Sequence, residues 1–142
     1  MKCIFCGKEV ESRQAHHATP AVEGYCCSDC NAKVVLPLRL FLSSRESGKQ
    51  DTALWVKPDS MELVKPQGKY FTLPELQKAV DGYIQLVPAP YDDCLAVANE
   101  EGLLIGLPLN TLYGQVFGYR LVGNVLIVPA SIFEAPDEED DD

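Results

Sequence analysis

The sequence predicts an α+β protein with a small cysteine-rich module followed by a larger module, which has a mostly antiparallel sheet and one or two short helices. Two observations lead to this prediction. Five of the six cysteines lie in the first thirty residues, and short apolar runs with strand or helix periodicity follow residue 60 between turn-forming residues. A chain of 142 residues can hold one small domain beside a mini-domain too short to bury its own core.

The cysteines include two pairs with the same internal spacing, Cys3-x2-Cys6 and Cys27-x2-Cys30. Cysteines at this spacing can turn both sulfurs to one side of a tight turn, and Gly7 permits the positive φ that such a turn often needs. A doubled pair is typical of a zinc site with four thiolates, whose closed shell makes it structural. We therefore predict one structural Zn²⁺ per chain, bound by Cys3, Cys6, Cys27 and Cys30, and a segment that unfolds without it.

Three neighbouring side chains are alternative ligands. Cys26 adjoins Cys27 and could replace it, although Cys27 keeps the two-residue spacing to Cys30. Zinc also accepts histidine, but four thiols already complete the shell, so His16 and His17 are expected near the site or at the surface. A pair of redox dithiols is the alternative to a metal.

The first segment, residues 1–42, resembles a treble-clef zinc finger, since a tight turn and a hairpin-length spacer precede a cysteine pair that starts an apolar helix. The helix is expected from Asn31. Pro37 is expected to stop or kink it, because proline lacks an N–H and clashes with the preceding turn. The polar residues 43–59 are predicted to be a linker.

Residues 60–133 are predicted to form the small α+β domain. Thr72 and Glu75 have the spacing of a capping box at a helix start, and Gly82 supplies a stop. The expected strands are 61–65, 83–87, 94–98 and 125–128, with helices at 74–80 and 109–117 and a short extended piece at 103–107. Residues 134–142 are predicted to be a disordered acidic tail, since seven of these nine are acidic.

No arrangement typical of catalysis is evident, so we expect a protein that is not an enzyme. Cys94 is expected to be a buried strand cysteine, far in sequence from both histidines. The net charge of −9 lies mostly in the tail, and this does not indicate tight phosphate binding. No apolar run approaches the ~20 residues of a membrane span, and the N-terminus lacks a secretory pattern. We therefore expect a reducing cytoplasm.

Several segments resemble known proteins. Residues 3–8 (CIFCGK), 16–31 (HHATPAVEGYCCSDCN) and 35–39 (VLPLR) resemble short cysteine-rich proteins of bacteriophages and related mobile elements. Residues 82–88 (GYIQLVP), 98–102 (ANEEG), 106–110 (GLPLN) and 123–128 (GNVLIV) resemble the family called domain of unknown function 3846. The resemblance implies an accessory protein of a phage or mobile element, acting in the cytoplasm of a bacterial host cell.

We therefore expect a non-enzymatic zinc-binding accessory protein that binds and modulates a host protein, such as a component of a bacterial defence system. A nucleic-acid-binding finger is one alternative, in which scattered cations bind phosphate and two aromatic rings stack on bases. Its residues would be Lys2, Lys8, Arg13, Lys33, Arg39, Phe5 and Tyr25. A nucleotide- or small-molecule-binding protein is another, which a deep polar pocket would support. An exposed apolar patch would favour an oligomer or a bound host protein.

Overall fold

The computed structural model describes residues 1–48 and 51–133, in which the strands form two sheets. His16–His17 (β1) and Tyr25–Cys26 (β2) form a two-stranded sheet. The larger sheet contains Ala53–Val56 (β3), Met61–Val64 (β4), Ile84–Val87 (β5), Cys94–Asn99 (β6) and Val125–Pro129 (β7). Its order is β4-β3-β7-β6-β5, with every neighbouring pair antiparallel. The predicted α+β class with a mostly antiparallel sheet is therefore confirmed.

The helices are short and lie before, between and after the strands of this sheet. They are Ser28–Cys30 (α1), Leu36–Glu46 (α2), Leu73–Val80 (α3) and Thr111–Phe117 (α4), with a π-helical segment at Asn31–Val35 and 3₁₀ turns at Ser12–Gln14 and Ala130–Ile132. No helix in the described ranges combines the length and apolarity needed to cross a bilayer.

The side chains of the five-stranded sheet alternate between two apolar cores, because successive residues of a strand point to opposite faces. On one face, strand residues pack with α2 and α4; the buried residues of this core include Leu38, Phe41, Leu54, Val56, Ala96, Ala98, Leu112, Tyr113, Val125 and Ile127. On the other face, strand residues pack with α3; the buried residues of this core include Ala53, Leu76, Val80, Val97, Leu126 and Val128. The sheet is therefore a central layer between helices, and α2 contributes to its core.

Pro37 does not end the helix that follows the second cysteine pair. This helix begins at Ser28, passes through the π-helical segment Asn31–Val35 and continues as α2, with Pro37 in the first turn of α2. The wider π turn and the first-turn position accommodate a residue that cannot donate a backbone N–H. The expected stop at Pro37 is therefore wrong, as is the expected start at Asn31.

The segment expected to be a linker contributes to the fold. α2 extends to Glu46, and β3 pairs with β4 on one side and with β7 on the other. The Trp55 indole Nε1–H donates to the Ala79 carbonyl of α3 at 3.0 Å. The linker prediction for 43–59 is thus wrong at Ala53–Val56. The strand has only four residues and follows a polar run, so its apolar pattern is weak in the sequence.

Most local predictions in the second module are confirmed with small shifts of the boundaries. Thr72 and Glu75 form both hydrogen bonds of a capping box at the start of α3. The residue that ends this helix in the left-handed region is Asp81, with φ 64°, and not Gly82. The extended piece expected at 103–107 is wrong, since this segment forms hydrogen-bonded turns. The predicted tail at 134–142 lies outside the described residues.

Candidate functional site

Four cysteine thiols from two separate segments converge at the N-terminal end of the molecule. The sulfurs of Cys3, Cys6, Cys27 and Cys30 all lie within 4.8 Å of one another. Three of these cysteines are buried, Cys6 is exposed, and all four are free thiols. The Cys6 and Cys27 sulfurs are 3.9 Å apart, close to the ~3.8 Å edge of a tetrahedron with Zn–S bonds of ~2.3 Å. The group can therefore hold a metal ion.

The first pair lies on a tight turn held by backbone hydrogen bonds. Cys3 N–H donates to the Lys8 carbonyl at 2.8 Å, and Gly7 N–H donates to the Cys3 carbonyl at 3.0 Å. Gly7 has φ +77°, which a residue with a Cβ adopts only at a cost. Phe5 N–H points at the Cys3 sulfur, with a separation of 3.4 Å. The turn thus directs both thiols to one side and supplies a backbone dipole to one of them.

The second pair is positioned by the start of α1. Cys27 is the residue that caps this helix, and its sulfur accepts a hydrogen bond from Cys30 N–H at 3.5 Å. A helix brings residues three apart onto the same face, so both thiols face the first pair. Ile4 N–H donates to the Tyr25 carbonyl at 3.0 Å, which joins the first turn to β2. Local structure therefore orients each pair, and this contact helps to bring the pairs together.

The thiols differ in acidity because of their surroundings. Burial opposes ionisation of Cys3, but hydrogen bonds from backbone N–H groups of the site outweigh it and lower the pKa of this thiol to about 6. Burial and the neighbouring thiols raise the pKa of Cys30 far above its ordinary value. Four adjacent thiols cannot all become anions without a cation to balance them. The donor set therefore suits a cation that binds thiolates.

Cys26 and the two histidines lie outside this group of four. Cys26 is fully buried beside the group, and burial raises the pKa of its thiol. His16 Nε2 lies 3.1 Å from the Ser28 hydroxyl, and the His17 ring packs against Tyr25 with ring centroids 4.8 Å apart. Among the described residues, the four thiols selected by spacing are the set that the fold brings together.

Cys94 is a buried strand residue, as expected. Burial, followed by the adjacent Asp93 carboxylate, raises the pKa of its thiol to about 12. The Asp93 carboxylate forms an ion pair with Arg45 of α2, whose guanidinium also stacks on the Tyr91 ring at 4.5 Å from its centroid. A thiol that stays protonated at neutral pH is a poor nucleophile.

The cations proposed for nucleic-acid binding already have partners in several cases. Lys33 pairs with Asp29 at 3.2 Å, and Arg13 pairs with Glu11 at 3.4 Å. Arg39 donates to the Thr19 and His17 carbonyls. These three cations are therefore engaged by groups of the chain itself.

A cavity of about 440 Å³ lies at the β5 edge of the larger sheet, on the face that packs with α2 and α4, between β5, the loop after β6 and the segment before β7. Its lining is mostly apolar and includes Val87, Leu103, Leu104 and Leu121, with the polar chains of Gln85, Glu100 and Arg120. Leu103, Leu104 and Ile105 are 82%, 86% and 57% exposed. This surface was not predicted from the sequence, although three adjacent aliphatic residues between Gly102 and Gly106 were a signal for it.

Comparison with known proteins identifies the family of the second module. The family model described as domain of unknown function (DUF3846) matches residues 51–137, which is more than half of the chain. This match confirms the family resemblance of the second module. No curated protein and no solved structure shows a significant match to the chain.

Proposed function

The chain belongs to the DUF3846 family, and from that premise we propose that it is a non-enzymatic, metal-stabilised protein that binds another protein. The observation that carries the proposal is the exposure of Leu103, Leu104 and Ile105 on one loop. Exposed apolar surface is unfavourable by about 25 cal/mol per Å², and a contiguous apolar patch marks an interaction site. We call these three residues the aliphatic loop.

The aliphatic loop is held in place before any partner binds. Ile105 N–H donates to the Glu101 carbonyl at 3.0 Å, and Leu107 N–H donates to the Gly102 carbonyl at 2.9 Å. Leu107 also packs closely against Gly123, where an added Cβ would lie 2.8 Å from its Cδ1 atom. Because the turn is already ordered, binding of a partner would cost less conformational entropy of this loop than binding to a flexible loop would.

The proposal also includes a structural zinc ion in the N-terminal module. Cys3, Cys6, Cys27 and Cys30 would hold it, and the bound ion would neutralise the thiolates and cross-link the two cysteine pairs. The turn at the first pair, the β1–β2 sheet and the helix that starts at Ser28 support a treble-clef-like finger. Four thiolates leave no open position for water, which favours a structural and not a catalytic metal.

The proposed partner is a host protein in the cytoplasm of a bacterial cell, and the chain is an accessory protein of a phage or mobile element. The support is the resemblance of the cysteine-rich segment to phage proteins, together with the exposed aliphatic loop. A bacterial defence component is one partner of this kind.

The test of protein binding compares substitutions at two exposed leucines in different parts of the chain. Leu104→Ser changes the aliphatic loop, while Leu40→Ser changes a 59% exposed residue of α2. Host proteins cross-linked to the wild-type chain are identified, purified and titrated against all three proteins. Saturable binding that Leu104→Ser weakens and Leu40→Ser preserves is the expected result. Equal binding by both variants would exclude the aliphatic loop.

The test of the metal uses adjacent cysteines as a matched pair. Cys27→Ser removes a proposed ligand, whereas Cys26→Ser removes a neighbouring buried thiol outside the group. Native mass spectrometry of protein prepared with zinc should show one zinc per chain in wild type and in Cys26→Ser, and none in Cys27→Ser. Zinc in Cys27→Ser and none in Cys26→Ser would show that Cys26, and not Cys27, is the ligand. Absence of zinc from reduced wild-type protein would favour a pair of redox dithiols.

Small-molecule binding is the second candidate, because the cavity lies within the ~300–1,000 Å³ range of ligand pockets. Saturable binding of a nucleotide or another small ligand, lost in Leu104→Ser in the absence of a protein partner, would favour it. The nucleic-acid alternative has less support, since the structure pairs several of its cations.

A further inference from the structure

On the basis of the proposed protein-binding function, we propose that the partner supplies an extended segment that adds to the free edge of β5. One apolar side chain of this segment would enter the cavity beside the aliphatic loop, and one carboxylate would pair with Arg120. The proposal names the kind of partner and the atoms that bind it.

The hydrogen-bonding pattern of β5 and β6 shows which backbone groups are free. Glu100 N–H donates to the Tyr83 carbonyl at 2.8 Å. In an antiparallel pair, hydrogen-bonded residue pairs alternate with residue pairs that are not hydrogen-bonded. Because Tyr83 and Glu100 are hydrogen-bonded, the pairs Ile84 with Asn99 and Leu86 with Val97 are not. The backbone N–H and C=O groups of Ile84 and Leu86 therefore point away from β6. No other strand among residues 1–48 and 51–133 pairs with this edge.

The two edges of the sheet differ in how well they resist a further strand. β4, at the opposite edge, carries Glu62, which pairs with Lys57 at 3.3 Å, and Lys65 follows directly. Charged side chains on an edge disfavour pairing with another chain. β5 consists of Ile84, Gln85, Leu86 and Val87, with no charge and no proline, and Leu86 is exposed. The β5 edge is thus the unprotected one.

The cavity adjoins this edge on one face of the sheet. Gln85 and Val87 both line it, as expected for alternate residues of one strand. Alternate side chains of an added strand would therefore face the same cavity, whose apolar walls include Leu103, Leu104 and Leu121. Backbone hydrogen bonds to the edge would give affinity, and the cavity would select an apolar side chain.

Arg120 gives the cavity a positive charge at one side. Its side chain lines the cavity, and no ion pair joins it to a carboxylate of the described ranges. Glu100 lines the same cavity and disfavours a second carboxylate near itself. An acidic residue of the partner is therefore expected beside Arg120 and away from Glu100.

A second copy of this chain fits the edge less well than a different protein. Each copy carries a net charge of −9, so two copies repel one another at low ionic strength. A partner segment that contributes a single carboxylate among apolar residues avoids most of this repulsion. Self-association is one outcome that the test detects.

The experiment uses random linear peptides displayed on phage and selected on the full chain, with two substitutions at one position. Leu86→Pro removes the outward N–H without breaking a bond to β6, a position where an edge strand tolerates proline. Leu86→Ala removes the same side chain and keeps the N–H. Both variants should keep the melting temperature close to that of wild type, and sedimentation reports the oligomeric state of each.

The expected peptides alternate apolar and polar residues and carry at least one Asp or Glu. Leu86→Pro should weaken a selected peptide about tenfold or more through lost backbone bonds, whereas Leu86→Ala should weaken it less. Arg120→Gln should weaken it about threefold, as for a partly exposed ion pair, and Lys69→Gln should not. Bound peptide should slow amide exchange at Ile84 and Leu86 and leave that of Leu63 on β4 unchanged.

Three results would overturn strand addition. The first is binding that Leu86→Pro and Leu86→Ala affect equally, and the second is self-association of the chain through β5. The third is selection of no peptide at all. If Leu104→Ser weakens peptide binding but Leu86→Pro does not, the proposed protein-binding surface remains and only the strand-addition mechanism is wrong. If Leu104→Ser also leaves binding of the cross-linked host protein unchanged, the proposed function is wrong as well.

Discussion

Substitution of Asn110 should be among the most destabilising single changes in the chain. This side chain is 1% exposed, and its Nδ2 group donates to the Val56 carbonyl at 2.9 Å and to the Gly123 carbonyl at 2.8 Å. Its Oδ1 atom accepts from Tyr113 N–H at 2.9 Å and caps α4. One amide thus joins the end of β3, the turn before β7 and the start of α4, and it helps to position the segment that closes the cavity.

The magnitude follows from the hydrogen bonds that Asn110→Ala removes. Loss of the helix cap costs about 1 kcal/mol, and loss of each of the two bonds donated by Nδ2 costs about 1 kcal/mol. The free energy of unfolding should therefore fall by about 3 kcal/mol. Asn110→Asp keeps an acceptor for Tyr113 but turns an oxygen towards two carbonyls, so it should destabilise the fold at least as much.

Urea unfolding monitored by circular dichroism tests this prediction, with Thr72→Ala as the matched control. Thr72 also caps a helix through its side chain, but at an exposed position, and its loss should cost about 1 kcal/mol. If Asn110→Ala costs no more than Thr72→Ala, or if Asn110→Asp is as stable as wild type, the proposed role of the amide is wrong.

Three further predictions concern a thiol, a helix end and the metal. Iodoacetamide at pH 8 should leave Cys94 unmodified in the folded chain, because burial and then Asp93 raise the pKa of this thiol to about 12; mass spectrometry of digests would show a labelled Cys94 if this is wrong. Since folding raises this pKa, the stabilising contribution of the protonated thiol is present below about pH 9 and is lost as the pH rises towards 12. Asp81→Gly should keep or slightly raise the melting temperature, because Asp81 has φ 64°, which glycine adopts without strain. Gly82→Ala should lower the melting temperature, because the new Cβ would lie 2.7 Å from the Asn99 Nδ2 atom. Equal shifts of the melting temperature in the two variants would contradict this. Zinc chelation should increase amide exchange around Cys3–Cys30 and leave that of the β7 core unchanged, and uniform loss of protection would show that the metal also stabilises the sheet.

The sequence was informative wherever the determining contacts are local. The repeated cysteine spacing selected the four thiols that the fold brings together, since each pair needs only its own turn to orient it. The Thr72–Glu75 capping box fixed the start of α3, because both hydrogen bonds lie within one helical turn. The strands β5 and β6 were also predicted, because each is marked by its own apolar residues between turn-forming residues.

Tertiary contacts decided the features that local patterns could not. β3 follows a polar run, and it lies inside the sheet because β7, about seventy residues later in the chain, pairs with the side that β4 leaves open. The exposure of Leu103 and Leu104, and the free edge of β5, depend on which elements cover each surface. The sequence by itself determined the candidate metal ligands, the family and the mostly antiparallel α+β class. Strand order and the exposure of the aliphatic loop came only from tertiary packing, because burial is a property of neighbours that are remote in sequence.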